Sequence, residues 1–543
     1  MSEATDRRGT ALKPAWRTVI LLLAGGYFAL AAGRAIDIPG LQYDEILFVN
    51  AATGEPTNGL FVGRRILGVP VMVMPYMGAL KAYLYYPVFQ LLGVSPATIR
   101  WPIIVLSLVT LGLIYGVARS SFPRLTSSLL VLVVAVDPTF IYTTKIDVGP
   151  TALMMLLKLA AVFFALRTVT TGSPRHLWGL SAACALGIFD KLNFIWFTIA
   201  LATACGLLFR RELAAALRRD PRGFLVPLAG LALFTVAACL RLVVPQFLAS
   251  QAEEHGITLL DRIPYVLRLY AETMDGRWMY LRVTKRELTA HTVTNYLVAG
   301  TLLALCAAGV LAARRAGGVT RLPLRSRILA CHLLIFLTIG LQVWVTKHAW
   351  GAHHVMMLYP FQYFIAFGAV ASLAGLRGTV VAAILFIASS LNVDASYARA
   401  FRPTAEFEPQ YSPVVYELVD YLNHRPVDRI ISVDWGIHNQ VFALGTPRTR
   451  AASRDRWPQF RTLGSRERQE GLYHEDFENR SVLAILHGRG WDIMPSVRDN
   501  FATWATSFRL TPVLDRTLVS PAGTTIFEVY WIDGRRTQAM PPP

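Results

Sequence analysis

Charge is what this chain has least of. Only 16% of its 543 residues are Asp, Glu, Lys or Arg, against about a quarter in soluble domains. That scarcity excludes an ordinary water-soluble globule, and a mean hydropathy of +0.42 agrees. Cysteine is scarce as well. Cys184, Cys205, Cys239, Cys306 and Cys331 all fall inside apolar blocks without CxxC spacing, so they read as small core residues, neither disulfides nor metal ligands. No nucleic-acid-binding motif accompanies the net charge of +18, which sets nucleic acid aside as a partner. No small-residue cleavage site follows the first apolar block, which reads as a retained anchor and not a signal peptide. Repeats of solenoid period and low-complexity stretches are also missing.

What is present is a series of apolar blocks of roughly 17 to 25 residues, the length that crosses a hydrocarbon core. The clustered Lys and Arg lie between them, in "DRRGTALKPAWR", "RSSFPR", "RRELAAALRRDPR" and "ARRAGGVTRLPLRSR". Under the positive-inside rule these are cytoplasmic loops. The expected architecture is a polytopic α-helical membrane protein with about eleven transmembrane helices over residues 1–394. Residues 37–99 form a first outer loop, in which "VMVMPYMGALKAYLYYPVFQLLGV" reads as an amphipathic helix lying in the interface. From about residue 395 charges, prolines and turns appear. "PVVYELVDYLNH" reads as a helix; "RIISVDWG", "SVLAILHG" and "TTIFEVYWID" read as strands. Residues 395–543 are therefore expected to form a soluble α/β domain on the outer face, with the N-terminus inside.

Polar residues at the outer ends of separate spans converge on that face. Asp44 and Glu45 follow the first span, Lys145 and Asp147 lie in "TTKIDVGP", Lys81 in "GALKAYLYYP", and His353 and His354 in "KHAWGAHH". Ionisable groups at membrane depth are costly and usually functional. Each also has a plain reading: a helix cap for the acidic pair, a snorkelling lysine for Lys81, an interfacial hydrogen-bonding pair for the histidines. Lys158 stands near mid-span without a visible partner. In "DWGIHNQ", Asp434, Trp435 and His438 either touch a glycan or form an ordinary strand-to-helix turn capped by Asp434.

The order of these stretches resembles the GT-C glycosyltransferases, and within them the branch of dolichyl-phosphate-mannose protein mannosyltransferases and aminoarabinose transferases. "YDE" is similar to the branch's first-loop acidic motif, "GALKAYLYYPVFQLLGVSPATIRWPIIVLSLVTLGLIYGVAR" to its juxtamembrane helix and second span, "KIDVGP" to the acidic residue of its second outer loop, and "GIFDKLNF" to a turn. The likeness covers roughly residues 15–375.

The resemblance implies transfer of a sugar from a polyprenyl-phosphate donor to an acceptor hydroxyl on a glycan, lipid or protein of the cell envelope. The transfer takes place on the outer face of a bacterial inner membrane, with inversion at the anomeric carbon. Such a reaction needs a carboxylate to take the acceptor proton and cations to receive the departing phosphate. Asp44 takes the place of the base by its position in the motif, with Glu45 and Asp147 beside it. Lys81, Arg64, Arg65 and Arg282 are the phosphate candidates, and Lys145, Tyr85, His353 and His354 the substrate candidates. The branch's metal site has an acidic residue just before the lysine, where this chain has Leu80. No metal or other cofactor is therefore assigned, and a divalent ion stays an alternative through the two histidines. The competing functions are a transporter or flippase of a lipid-linked substrate, which calls for broken mid-membrane helices in repeated halves, and an inactive GT-C-like scaffold.

Overall fold

The computed structural model describes residues 14–56, 59–243, 258–290, 292–346, 349 and 351–535. The basic N-terminal stretch expected inside lies mostly outside these residues, as does part of the outer loop expected after residue 246.

The N-terminal part is a helical bundle. α1 (Pro14–Gly33) leads to a short α2 (Tyr43–Thr53), then to a three-stranded antiparallel sheet of β1 (Val62–Ile66), β2 (Val69–Met74) and β3 (Met77–Gly78). α3 (Leu80–Leu92) follows, then α4 (Pro96–Ala118), α5 (Arg124–Ala135), α6 (Pro138–Lys145), α7 (Thr151–Thr171), α8 (His176–Asp190), α9 (Phe194–Leu208), α10 (Arg210–Arg219) and α11 (Pro221–Ala238). After the segment outside the description come α12 (Arg262–Met274), α13 (Arg277–Thr284), α14 (Thr294–Arg315), α15 (Leu324–Val345), α16 (Ala352–Val355) and α17 (Phe361–Ala400).

Local chemistry sets these boundaries. Ser95 and Thr98 close a capping box in front of Pro96, at the start of α4. Asp137 caps α6, accepting from Thr139 N, with Pro138 at the first helical position. α17 leaves helical geometry at Gly375 (φ 63°, ψ −155°), which divides it in two.

Among the described residues seven helices are long and apolar enough to cross a membrane, or nine if two bent pairs each count as one span. The bent pairs are α5 with α6 (53°) and α9 with α10 (91°). The expected count of eleven is not established. α8 has 15 residues, about 22 Å at 1.5 Å per residue, short of a core of about 30 Å. The break at Gly375 decides whether α17 counts once or twice.

Beyond Ala400 the chain builds a second unit: α18 (Val414–His424), β4 (Arg429–Ser432), α19 (Ile437–Leu444), α20 (Pro447–Ala452), β5 (Ser453–Asp455), α21 (Trp457–Arg461), α22 (Arg466–Asp476), β6 (Ser481–His487), α23 (Val497–Ser507), β7 (Val513–Val519) and β8 (Thr525–Asp533). The five strands lie in the order β5-β4-β6-β8-β7; β4 runs parallel to β5 and β6, while β8 is antiparallel to β6 and β7. The alternation along β6 explains why both faces are covered. Val482, Ala484 and Leu486 join Phe460 and Trp504 on one side. Leu483 and Ile485 join Val415, Leu418 and Val441 on the other.

The long basic loops gather at one end of the bundle: Arg219 donates to Gly172 O at 3.0 Å, and Arg327 pairs with Glu212 at 2.7 Å. The C-terminal unit sits at the other end, against α2.

Candidate active site

α2 opens with Gln42 as its cap, whose side chain accepts from Asp44 N at 2.7 Å. Asp44 and Glu45 thus occupy a first helical turn, where the helix dipole favours negative charge. Helical spacing then sends them to different places.

Glu45 turns inward. Its two oxygens accept from Arg100 Nε and Nη2 at 2.8 and 3.0 Å, and both side chains are buried. Arg100 also donates to Ile36 O and Pro39 O, at 2.7 and 2.9 Å. This bidentate clamp fixes the chain between α1 and α2. Glu45 thus stands in a buried ion pair, apart from the part-exposed Asp44.

Asp44 remains partly exposed and, among the described residues, enters no ion pair. Burial pushes its carboxyl above the ordinary 3.8, opposed by the Lys191 ammonium, by Gln42, and by the charges of Arg282 and Lys81.

Lys81 stands differently from the interfacial cation expected. It is fully buried and donates to Asp147 Oδ2 at 2.7 Å, Gly149 O at 2.9 Å and Asp147 O at 3.1 Å. An ammonium has three N–H groups, and all are used. Asp147 in turn accepts from Ala152 N at 3.0 Å, tying the pair to the start of α7. Lys81 and Asp147 are thus mutual partners in a buried ion pair.

Some of the other candidates are also occupied. Lys145 donates to Ala32 O, Arg34 O and Ala35 O, capping the end of α1. Arg65 donates to Glu55 O at 2.6 Å and Gly68 O at 2.9 Å; Arg64 is exposed beside it on β1. Tyr85 is buried against Phe89, ring centroids 5.1 Å apart, with its hydroxyl unpartnered. Lys158 is answered too. Its ammonium donates to Met356 O at 3.2 Å, Met357 O at 2.9 Å and Tyr359 O, holding the turn before α17. Asp434 is fully buried and held by Trp435 N, Ile493 N, Met494 N and His487, so "DWGIHNQ" is a structural turn.

The residue that sequence reasoning missed is Lys191, at the end of α8 in the quoted turn "GIFDKLNF". It is 7% exposed, and among the described residues its ammonium has neither ion pair nor hydrogen bond. Burial draws its ammonium down to about 8, against the pull of Asp44, Asp190 and Asp147. Neighbouring Asp190 is buried with both carboxylate oxygens unpartnered among the described residues. Two unsatisfied ionisable neighbours in one turn are the unusual feature here. The turn is pinned by Leu192 N to Tyr76 O at 3.0 Å. It is also approached closely by β3: a Cβ on Gly78 would lie 2.4 Å from Phe189 O, so only glycine fits. Arg282, on α13, is exposed and in no ion pair among the described residues; it hydrogen-bonds with Tyr411, and its charge acts on both Asp44 and Tyr411. The His353 and His354 rings lie with centroids 4.0 Å apart, tilted by 44°, and His354 Nδ1 accepts from Gly351 N at 3.3 Å. Both feel the Lys191 charge, which sets them at the rim of the same group. Among the described residues no three His, Cys, Asp or Glu side chains come together to hold a metal ion.

The C-terminal unit completes the wall behind α2. Trp435 packs on Tyr43 at 4.0 Å, Asn50 Nδ2 donates to Asn439 O at 3.1 Å, and His438 Nε2 meets Glu55 Oε1 at 2.7 Å. A Cβ on Gly40 would lie 2.3 Å from Ser412 O, another contact that admits only glycine.

Residues 77–240 match the family described as dolichyl-phosphate-mannose-protein mannosyltransferase. No curated protein matches the chain. Among solved structures, apo ArnT from Cupriavidus metallidurans is similar with a TM-score of 0.54 and 11% identity, covering 95% of this chain and 98% of that one. The same enzyme bound to undecaprenyl phosphate gives 0.53 and 12%, with the same coverage. The Archaeoglobus fulgidus oligosaccharyltransferase tethered to an acceptor peptide gives 0.50 and 11%, covering 95% of this chain and 74% of that one. The chain thus shares its fold with ArnT and with the archaeal oligosaccharyltransferase, and within that fold its residues 77–240 match the protein mannosyltransferase family.

Proposed function

We propose that this protein moves a sugar from a polyprenyl-phosphate carrier to an acceptor hydroxyl, with inversion and with Asp44 as the general base. The observation that carries the reading is a part-exposed carboxylate that is in no ion pair among the described residues, facing two cations that also lack one among them. Asp44, Lys191 and Arg282 are the three members of this set. In the reaction Asp44 takes the acceptor proton as the acceptor oxygen bonds to C1. The bond from C1 to the phosphate oxygen breaks, and its electron pair leaves with the polyprenyl phosphate. Negative charge grows on that phosphate, and Lys191 and Arg282 receive it. Charge stabilisation of this kind acts where the transition state develops charge. Glu45–Arg100 and Lys81–Asp147 hold the site's frame from beneath. Asp190, unpartnered beside Lys191, is suited to the hydroxyls of the sugar. ArnT bound to undecaprenyl phosphate supports a polyprenyl-phosphate donor by likeness of fold.

The test supplies membranes containing the protein with a panel of polyprenyl-phosphate pentoses, hexoses and uronic acids. Release of polyprenyl phosphate together with a glycosylated envelope product is the expected outcome. Carrier movement across the bilayer without sugar release would favour a flippase instead.

A further inference from the structure

A cavity of about 320 Å³ opens between α1, α6 and α17, lined by none of Asp44, Lys191 and Arg282. Its walls are aromatic. Tyr142 and Tyr397 stack with ring centroids 3.5 Å apart, and Phe401 stands edge-on to them at 5.5 and 5.3 Å. Tyr27 closes the opposite side. Asp394 lies among these rings, 7% exposed. One of its oxygens, Oδ2, accepts from the Tyr27 hydroxyl at 2.6 Å; the other, Oδ1, is buried without a partner among the described residues. The lining ammonium, Lys145, cannot answer it, because it is committed to three carbonyls of the α1 terminus. At the lining too stands Arg34, exposed and in no ion pair among the described residues.

An unpartnered carboxyl oxygen and a guanidinium in no ion pair among the described residues thus border one small space. A buried acceptor among aromatic rings selects a cationic donor. An unpaired guanidinium selects a phosphate. A ligand that carries both groups a few bonds apart satisfies the two together. The helix beside the opening faces lipid: Leu22, Leu23 and Leu30 are 69%, 62% and 77% exposed.

We propose that this cavity binds the headgroup of a zwitterionic phospholipid, its primary ammonium against Asp394 Oδ1 and its phosphate toward Arg34, with the acyl chains along α1. The site is separate from the transfer reaction and holds whether or not that reaction is as proposed.

The test uses full-length protein, stripped of lipid in detergent and examined by native mass spectrometry. Dioleoyl-phosphatidylethanolamine is offered against dioleoyl-phosphatidylglycerol and against its N-acetylated derivative, which keeps the phosphate and chains but loses the positive charge. The unaltered protein should retain the ethanolamine lipid at least about tenfold better than either competitor. Asp394→Asn should remove that preference, and Arg34→Gln should weaken retention of all three lipids. Equal retention of the ethanolamine lipid and its N-acetyl derivative by the unaltered protein would overturn the proposal, and this comparison needs no variant to fold. Persistence of the preference in a folded Asp394→Asn would overturn it as well.

Discussion

Lys81 and Asp147 meet at 2.7 Å with both side chains buried, 66 residues apart in the chain. The pair joins α3 to the start of α7, beneath Asp44. Lys191, by contrast, has its ammonium unpaired among the described residues. The two lysines should therefore fail differently. Lys81→Met leaves a buried carboxylate without its cation, a loss that costs about 3–5 kcal/mol. Its expected effect is poor folding, read as a lowered melting temperature and yield. Lys191→Met should fold normally and use the donor about tenfold to a hundredfold less well, the worth of one charge-assisted bond of about 1.5–3 kcal/mol. Normal stability in Lys81→Met with a selective donor defect would return the phosphate role to Lys81.

The pH profile follows from the two shifted groups. Asp44 must be ionised to accept a proton, and burial raises its carboxyl above 3.8. Activity should therefore fall on acidification at a higher pH than an ordinary aspartate would give. Lys191 must be protonated to hold phosphate, and its ammonium sits at about 8. So kcat/KM should fall again as pH rises through about 8 in the carrier-free enzyme. Bound phosphate stabilises the ammonium, which moves the corresponding limb of kcat upward. Lys191→Arg should shift the alkaline limb of kcat/KM beyond pH 10, since a guanidinium stays charged. An unmoved limb would assign it to another group.

The C-terminal unit braces the helix that carries Asp44. Trp435→Ala removes the ring packed on Tyr43, an aromatic contact of about 0.5–1.5 kcal/mol beyond its area. Turnover should drop severalfold while binding of polyprenyl phosphate stays the same. Equal losses in both would mean that the unit serves the donor directly.

Membrane orientation is testable by chemistry. Ala316→Cys lies at the end bearing the basic loops, and Ser465→Cys in the C-terminal unit. An impermeant thiol reagent applied to intact spheroplasts should label the second and reach the first only after permeabilisation. Labelling of residue 316 in intact spheroplasts would invert the topology.

Much of this was legible in the sequence because membrane spans and buried strands announce themselves by unbroken apolar runs. The three strands expected in the C-terminal unit are β4, β6 and β8, the buried ones. β5 and β7 were missed: the first has three residues, and the second is exposed along most of its length. In the first outer loop, the expected interfacial helix is two strands, a turn and α3. "VMVM" satisfies an amphipathic helix and a strand alike, and the Pro75-Tyr76 turn was the available signal. Site roles were less legible still. Sequence places Asp44 beside Glu45, but only folding shows that Arg100, 55 residues away, claims one of them. Lys81 and Lys145 look like free cations until the carbonyls they cap are brought to them. Lys191 was passed over because a lysine in a tight turn between apolar blocks reads as a solvated tip, while packing against β3 buries it.

The central claim is that Asp44 removes the acceptor proton, and Asp44→Asn tests it most directly. The amide keeps the shape of the side chain and cannot serve as the base. The measurement is single-turnover sugar transfer by purified Asp44→Asn, alongside its melting temperature and its binding of undecaprenyl phosphate. The account predicts unchanged folding, retained carrier binding and a transfer rate lower by about 10²–10⁴-fold. A folded variant that transfers sugar at near the original rate would contradict it.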